Sequence, residues 1–336
     1  MSSDPPTRET GAPEPLPSPS SATSNPPPRR SAGALVGKII PFLPALIPAA
    51  VIIAIAWTLV GATGFYNFGL GFFLPGSPSN PWGVGVEIVG SFLTAVPALL
   101  FSMLLGLGIA IASTTYLPGF LSKILDPFVD LLAGIPSVVY GIWAYLVLAP
   151  LLGTVINPWA VMHLSFIPGF AASINPPSPT TAGTGLPLAI IVLTLMALPI
   201  TTLLIRDALR SIPKDLWESG LALGATRWEV MRKVGLRHGS RGIFSAVFLG
   251  FGRAIGETVA IAMVIGGGGG LPVNVYDTTN TMAAYMFGTL DSALVEPIIG
   301  KNLAELALVL LAITLAVNIA GRRLVSHLYA QEVPGL

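Results

Sequence analysis

Two residues in this chain stand out for their chemistry. Arg253 and Glu257 lie in FGRAIGETVAIAMVIG, an otherwise apolar run. Four residues apart, they share one face of a helix and can pair. A charge at mid-bilayer costs about 2.5–3.5 kcal/mol on an insertion scale, so two in one span need a reason. A guanidinium presents a planar fork of donors that fits an oxyanion. A carboxylate beside it accepts a hydrogen bond from a protonated ligand oxygen. The residues by themselves leave two readings open: a polar pathway, or an ion pair that locks helices without touching a ligand.

Other chemistry is missing from the pattern. The chain has no Cys, hence no disulfide framework and no thiolate metal site. His163, His238 and His327 stand apart, without metal-ligand spacing. No G-x-S-x-G elbow occurs. Gly266 to Gly270 form a glycine run, but a nucleotide loop needs G-x-x-x-x-G-K-[ST] opening a helix, and no such string exists. An ordinary loop or an outer gate is the expectation there. Nothing in the sequence hydrolyses a substrate unaided.

The elements that must position Arg253 and Glu257 follow from composition. Of 336 residues, 53% are hydrophobic and 10% charged, against about 25% charged in soluble domains. Six runs approach the roughly 20 apolar residues a membrane-crossing helix needs. They cover about 39–60, 92–112, 128–148, 186–205, 243–265 and 303–320, with Pro136 expected to kink the third. Fifteen of the seventeen Lys and Arg residues fall on one side of these spans, Lys301 falls on the other, and Arg253 lies within a span. The positive-inside rule then puts both termini in the cytoplasm. Residues 1–33 hold nine Pro and read as a disordered cytoplasmic tail. The remainder divides into a first span over 34–61 and a transmembrane domain over 87–325.

The loop at 206–242 is polar yet keeps helical periodicity. Leu216, Trp217, Leu221 and Leu223 precede Gly224; Trp228, Val230, Met231 and Val234 follow it. Two short helices hinged at Gly224 account for this. Thr226 with Glu229 forms a capping box for the second. Gly252 and Gly256 form a small-xxx-small pair suited to close helix packing.

This loop resembles the coupling loop of binding-protein-dependent ABC importers, E-A-A-x3-G-x9-I-x-L-P. Glu218-Ser219-Gly220, Gly224, Val234 and Leu236 match it, while Ser219 and Gly220 replace Ala and Arg237 replaces Pro. The runs GIPSVVYGIW (134–143), ALGATRWEVMRKV (222–234) and GRAIGET (252–258) resemble phosphate-permease subunits, of the PstC rather than the PstA type. The resemblance covers about 34–325. It implies an all-α bundle of the ABC type-1 importer (MetI-like) class with six transmembrane helices, in a prokaryotic plasma membrane. It implies a second, PstA-type permease, two ATPase subunits that bind the ATP, and an external phosphate-binding protein as partners. Arg253 and Glu257 would line the phosphate pathway. Glu218, Gly224, Ala225, Arg227 and Leu236 would belong to the element that docks on the ATPase. Another oxyanion such as molybdate or sulfate, or an ATP-independent carrier, stays open as an alternative. The aromatic residues of the outer segments, Trp159, Phe166, Phe170, Tyr276, Tyr285 and Phe287, fit a protein interface and a membrane belt equally.

Overall fold

A computed structural model describes residues 42–64, 69–77, 80–175 and 178–330. The predicted tail at 1–33 lies outside the described residues. Contacts divide the chain into two units, Met1–Ile53 and Ala54–Leu336. Helix α1, Phe42–Thr63, begins in the first unit and ends in the second. A 3-10 turn, Leu70–Phe73, and a hairpin of β1 (Pro75–Ser77) and β2 (Asn80–Val84) lead to α2, Gly85–Ile111. The helices that follow are α3 (Gly119–Ala133), α4 (Ser137–Leu164), α5 (Pro179–Ala182), α6 (Leu186–Arg210) and α7 (Lys214–Ala222). Helix α8 covers 227–255, with a π-turn at Met231–Gly235, and α9 is Val259–Val264. Helices α10 (Met282–Gly288), α11 (Leu290–Val295) and α12 (Pro297–Ala330) complete the chain.

Among the described residues, five helical stretches are long and apolar enough to cross a bilayer: Leu46–Thr63, Gly85–Tyr116, Ser137–Leu164, Pro179–Arg210 and Pro297–Arg323. The predicted fifth span, 243–265, is divided between α8 and α9. The bundle is therefore the expected all-α membrane class, with one of the six predicted crossings broken.

The predicted third span needs correction. The helix does not kink at Pro136; it stops at Ala133 and restarts at Ser137. Proline lacks the N–H that a continuing helix uses and pushes the residue before it out of the helical region. Here Pro136 stands at the N-cap of α4, with φ −58° and ψ 140°. The span consequently runs from Ser137 to Leu164 instead of 128–148, and α3 is a separate amphipathic helix.

Small residues set the packing. Helices α2 and α6 are pressed together through Ala95, Ala98 and Ala189, all fully buried. A Cβ on Gly106 would come within 3.0 Å of Thr201 Oγ1. Apolar surface drives nothing between helices in lipid, so close approach and hydrogen bonds hold them. Thr194 Oγ1 donates to Ile190 O and reaches Ala98 O at 3.5 Å across the interface; Thr201 Oγ1 reaches Ser102 O at 3.3 Å. One core joins these helices to α4 and α9. A second gathers Ala110, Ile205, Leu209, Met231, Ile243 and Ala246, where α2, α6 and α8 meet the 206–242 loop.

Candidate functional site

The run GRAIGET is where α8 ends. Gly256 is its C-cap, Glu257 and Thr258 lie outside the helices, and α9 begins at Val259. Thr258 Oγ1 donates to Gly256 O at 3.1 Å, and Glu257 Oε1 accepts from the Ala260 N–H at 3.5 Å. The carboxylate is thus turned toward the first turn of α9, away from α8. The four-residue spacing from Arg253 to Glu257 no longer puts them on one helix face. Among the described residues no ion pair joins them. They nevertheless line one small cavity, with Leu193, Met196 and Ala197 of α6. Arg253 is exposed on this chain and Glu257 is half-buried.

The glycine pair divides its labour. A Cβ on Gly252 would meet Asn318 Nδ2 of α12 at 3.3 Å, so this glycine does serve packing. Gly256 faces no other helix and terminates α8 instead.

A second break lies beside the first. Helix α4 packs on α9 through Gly141, whose Cβ would sit 2.9 Å from Met263 Sδ and 3.0 Å from Ala260 Cα. Gly141 is four residues into α4 and Ala260 is at the start of α9. At 1.5 Å per residue, the Gly134–Pro136 break therefore stands level with Gly256–Thr258 to within about one turn. Two interrupted helices lie alongside each other there, with Arg253 at the lower lip.

The 206–242 loop has the expected hinge at Gly224, but the second helix is not short: it continues as α8 into the predicted fifth span. Helix α7 ends in a Schellman motif: Gly224 N–H donates to Leu221 O, and Ala225 N–H donates to Gly220 O. Gly224 has φ +84°, a value that glycine adopts without a Cβ clash. Glu229 Oε2 accepts from the Thr226 N–H at 2.8 Å, and Thr226 Oγ1 accepts from the Glu229 N–H at 3.3 Å, completing the capping box. The backbone hydrogen bond from Thr226 holds the Glu229 carboxyl below its ordinary range. Gly220 lets α7 and the start of α8 touch, since its Cβ would come within 2.9 Å of Val230 Cγ2. Arg227 Nη1 donates to Thr115 O at 3.3 Å, tying the loop to the end of α2. Leu236 packs against the second core, while Glu218 is exposed. Leu216, Leu223 and Trp228 are exposed at 45%, 88% and 49%, giving the hinged pair an outward apolar face.

One cluster escaped the sequence reading. Asp126 and Asp130 of α3 meet Arg206 and Arg210 of α6. Arg206 Nη1 lies 2.7 Å from Asp126 Oδ1, Arg206 Nη2 lies 3.3 Å from Asp130 Oδ1, and Arg210 Nη2 lies 2.7 Å from Asp126 Oδ2. Burial raises the Asp126 carboxyl, but the hydrogen bonds from Arg210 and Arg206 outweigh it and hold its pKa below the usual range. The signal in the sequence is Asp130 itself, a charge inside the predicted third span at 128–148. Both pairs also have i,i+4 spacing.

On the other side of the bundle, the glycine run is a fastened loop. Gly268 N–H donates to Thr279 O, and Gly266 and Gly267 have φ of +86° and +66°. Tyr276 is buried edge-on against Phe170, whereas Trp159, Phe166 and Phe287 are exposed.

Comparison with known proteins places these features in context. Residues 102–331 match the model of the binding-protein-dependent transport system inner membrane component family. The Mycobacterium tuberculosis phosphate transport system permease protein PstC 1 is 36% identical over 250 residues, 74% of this chain and 73% of that protein. The Mesorhizobium japonicum PstC is 32% identical, covering 82% and 83%. The Methanocaldococcus jannaschii protein, a probable PstC, is 32% identical, covering 85% and 93%. Among solved structures, the inward-facing MetNI methionine ABC transporter matches with a TM-score of 0.53 at 18% identity, over 75% of this chain and 99% of that one. A bacterial alginate ABC transporter matches with a TM-score of 0.54 at 22% identity, over 87% and 94%. These two support the fold alone.

Proposed function

The chain belongs to the binding-protein-dependent transport system inner membrane component family, and on that premise we propose that it is the permease subunit that carries inorganic phosphate inward across the plasma membrane in an ATP-driven importer. The observation that carries this reading is the break at Gly256–Thr258. It sets Arg253 and Glu257 on one cavity inside the membrane domain, in a chain 36% identical to a PstC protein.

The chemistry fits the substrate. Arg253 offers a fork of donors to phosphate oxygens. Phosphate near neutrality keeps at least one proton, which Glu257 accepts; sulfate offers no such proton. Released from their mutual pairing, both side chains are available to a ligand. The ion-pair reading of the sequence loses ground for the same reason.

The working assembly consists of this chain, a PstA-type permease, two ATPase subunits and an external phosphate-binding protein. ATP binds the ATPase subunits. The hinged pair α7–α8 docks there by its exposed apolar face, with Glu218, Gly224, Ala225, Arg227 and Leu236 shaping the element. A rigid helix pair transmits a push that a slack loop would absorb. Both termini and the 206–242 loop lie in the cytoplasm. Within the chain, residues 1–33 are the tail, 34–61 the first span and 87–325 the transport domain.

Uptake of labelled phosphate by vesicles containing the purified complex, with and without enclosed ATP, tests the reading. Accumulation that requires ATP and is not displaced by excess sulfate or molybdate is the expected result. Accumulation without nucleotide, or stronger competition by another oxyanion, would overturn it.

A further inference from the structure

The start of α8 carries a group of basic side chains that neither the second core nor the α3–α6 ion pairs use. Arg232, Lys233, Arg237 and His238 are all exposed. Lys233, Arg237 and His238, with Val234, line an open pocket of about 350 Å³. Among the described residues none of the four takes part in an ion pair. Glu229, a carboxylate that feels Lys233, is already engaged by Thr226.

Position along the helix supplies the second argument. Ile243 begins the apolar run of α8. Arg237 precedes it by six residues, about 9 Å along the axis at 1.5 Å per residue. A bilayer's polar layer is roughly 5–8 Å thick on each side of the hydrocarbon. Long basic side chains extend along the helix to reach it. Phe244, two turns beyond Arg237 on the same side, is 37% exposed and would meet the acyl chains.

The departure from the family pattern is the third argument. Arg237 stands where the coupling loop of the family has Pro, so docking on an ATPase does not by itself call for a cation there. Without the proline ring, the helix continues from 227 to 255 and holds Lys233 and Arg237 one turn apart on a single rigid rod.

We infer that Lys233, Arg237 and His238 form a binding site for the phosphate group of anionic phospholipids in the cytoplasmic leaflet. The inference rests on the cytoplasmic placement of this loop proposed above. A guanidinium and an ammonium one turn apart match a phosphodiester oxygen pair with charge-assisted hydrogen bonds.

The test uses the complete complex in nanodiscs. A photoreactive benzoylphenylalanine at position 234, which lines the pocket without being one of its basic residues, should capture phosphatidylglycerol; capture of an ATPase subunit would assign the patch to the coupling interface and overturn the inference. Retention of phosphatidylglycerol is then measured by native mass spectrometry. Each cation near an anionic surface contributes roughly fivefold in affinity, so K233Q/R237Q should retain it about 25-fold less tightly. The conservative pair K233R/R237K should retain it nearly as the native chain does. Displacement of the lipid by millimolar inorganic phosphate would make free phosphate the ligand and overturn the lipid assignment. Inside or outside labelling of L223C, in a chain without native Cys, fixes the side of the loop independently. Outside labelling sinks the orientation, whereas loss of lipid capture with inside labelling sinks only the site.

Discussion

The proposed phosphate pathway rests on two side chains held by unlike means. Arg253 projects from the last turn of α8, and its guanidinium has no carboxylate partner among the described residues. Glu257 is oriented by the Ala260 N–H on the far side of the break. Replacing Arg253 with Lys keeps the charge but loses the planar fork. Phosphate uptake should therefore fall at least tenfold in R253K, with the complex still assembled on a sizing column; near-native uptake would show that charge alone suffices. Glu257→Gln removes a charged acceptor while keeping the shape. A hydrogen bond to a charged group contributes about 1.5–3 kcal/mol, so phosphate-over-sulfate selectivity should fall roughly tenfold or more in competition uptake. Unchanged selectivity would remove Glu257 from substrate recognition. The pairing expected from the spacing failed for a local reason. Gly256 ends the helix between the two residues, and an i,i+4 argument holds only while the helix continues.

At the scale of elements, two joints should carry the mechanical load: the Gly224 hinge and the α3–α6 ion-pair cluster. Gly224 at φ +84° closes the Schellman motif of α7. An alanine there adopts the left-handed region at a cost of about 1–2 kcal/mol. In G224A, ATP hydrolysis by the complex should persist while phosphate moved per ATP drops by half or more; full coupling would deny the hinge its role. The ion-pair cluster is sensitive to acid. The Asp126 carboxyl sits below its ordinary pKa in the folded chain, so its contribution is complete above the unfolded value, near 4. It is lost as pH falls through the lower folded value. Spin labels at L121C and S211C should report a sharp distance near neutrality and a broadened one below about pH 4, with D126N broadened at both. Both joints bear on what was readable beforehand. The hinge was legible because caps and glycine turns are local chemistry written in adjacent residues. The cluster was not, because Asp126 and Arg206 are eighty residues apart and meet only once α3 leaves the membrane run. That departure depends on Pro136 ending a helix instead of bending it, which hydropathy cannot distinguish.

For the whole molecule, the apolar runs were enough to read the membrane class and the place of four of the crossings, since hydropathy is a sum over many residues. The broken fifth crossing required coordinates: GRAIGETVAIAMVIG is apolar enough to look continuous, and Gly256-Glu257-Thr258 interrupts it only where α4 and α6 pack around it. This architecture makes the side of each loop a strong constraint. If the 206–242 loop meets an ATPase, Leu223 at 88% exposure must be reachable from the inside, and Val273 at 83% from the outside. The chain contains no Cys, so L223C and V273C each introduce a single thiol. In right-side-out vesicles an impermeant maleimide should label V273C directly and L223C only after the membrane is opened. The opposite pattern would place the hinged pair where no ATP is available and would leave the exposed Leu216, Leu223 and Trp228 without an ATPase to dock on. Adding the partner ATPase subunits to opened membranes should then shield L223C and leave V273C labelled as before. Shielding at both positions would mean that the label is blocked nonspecifically, and shielding at neither would detach this hinge from the motor.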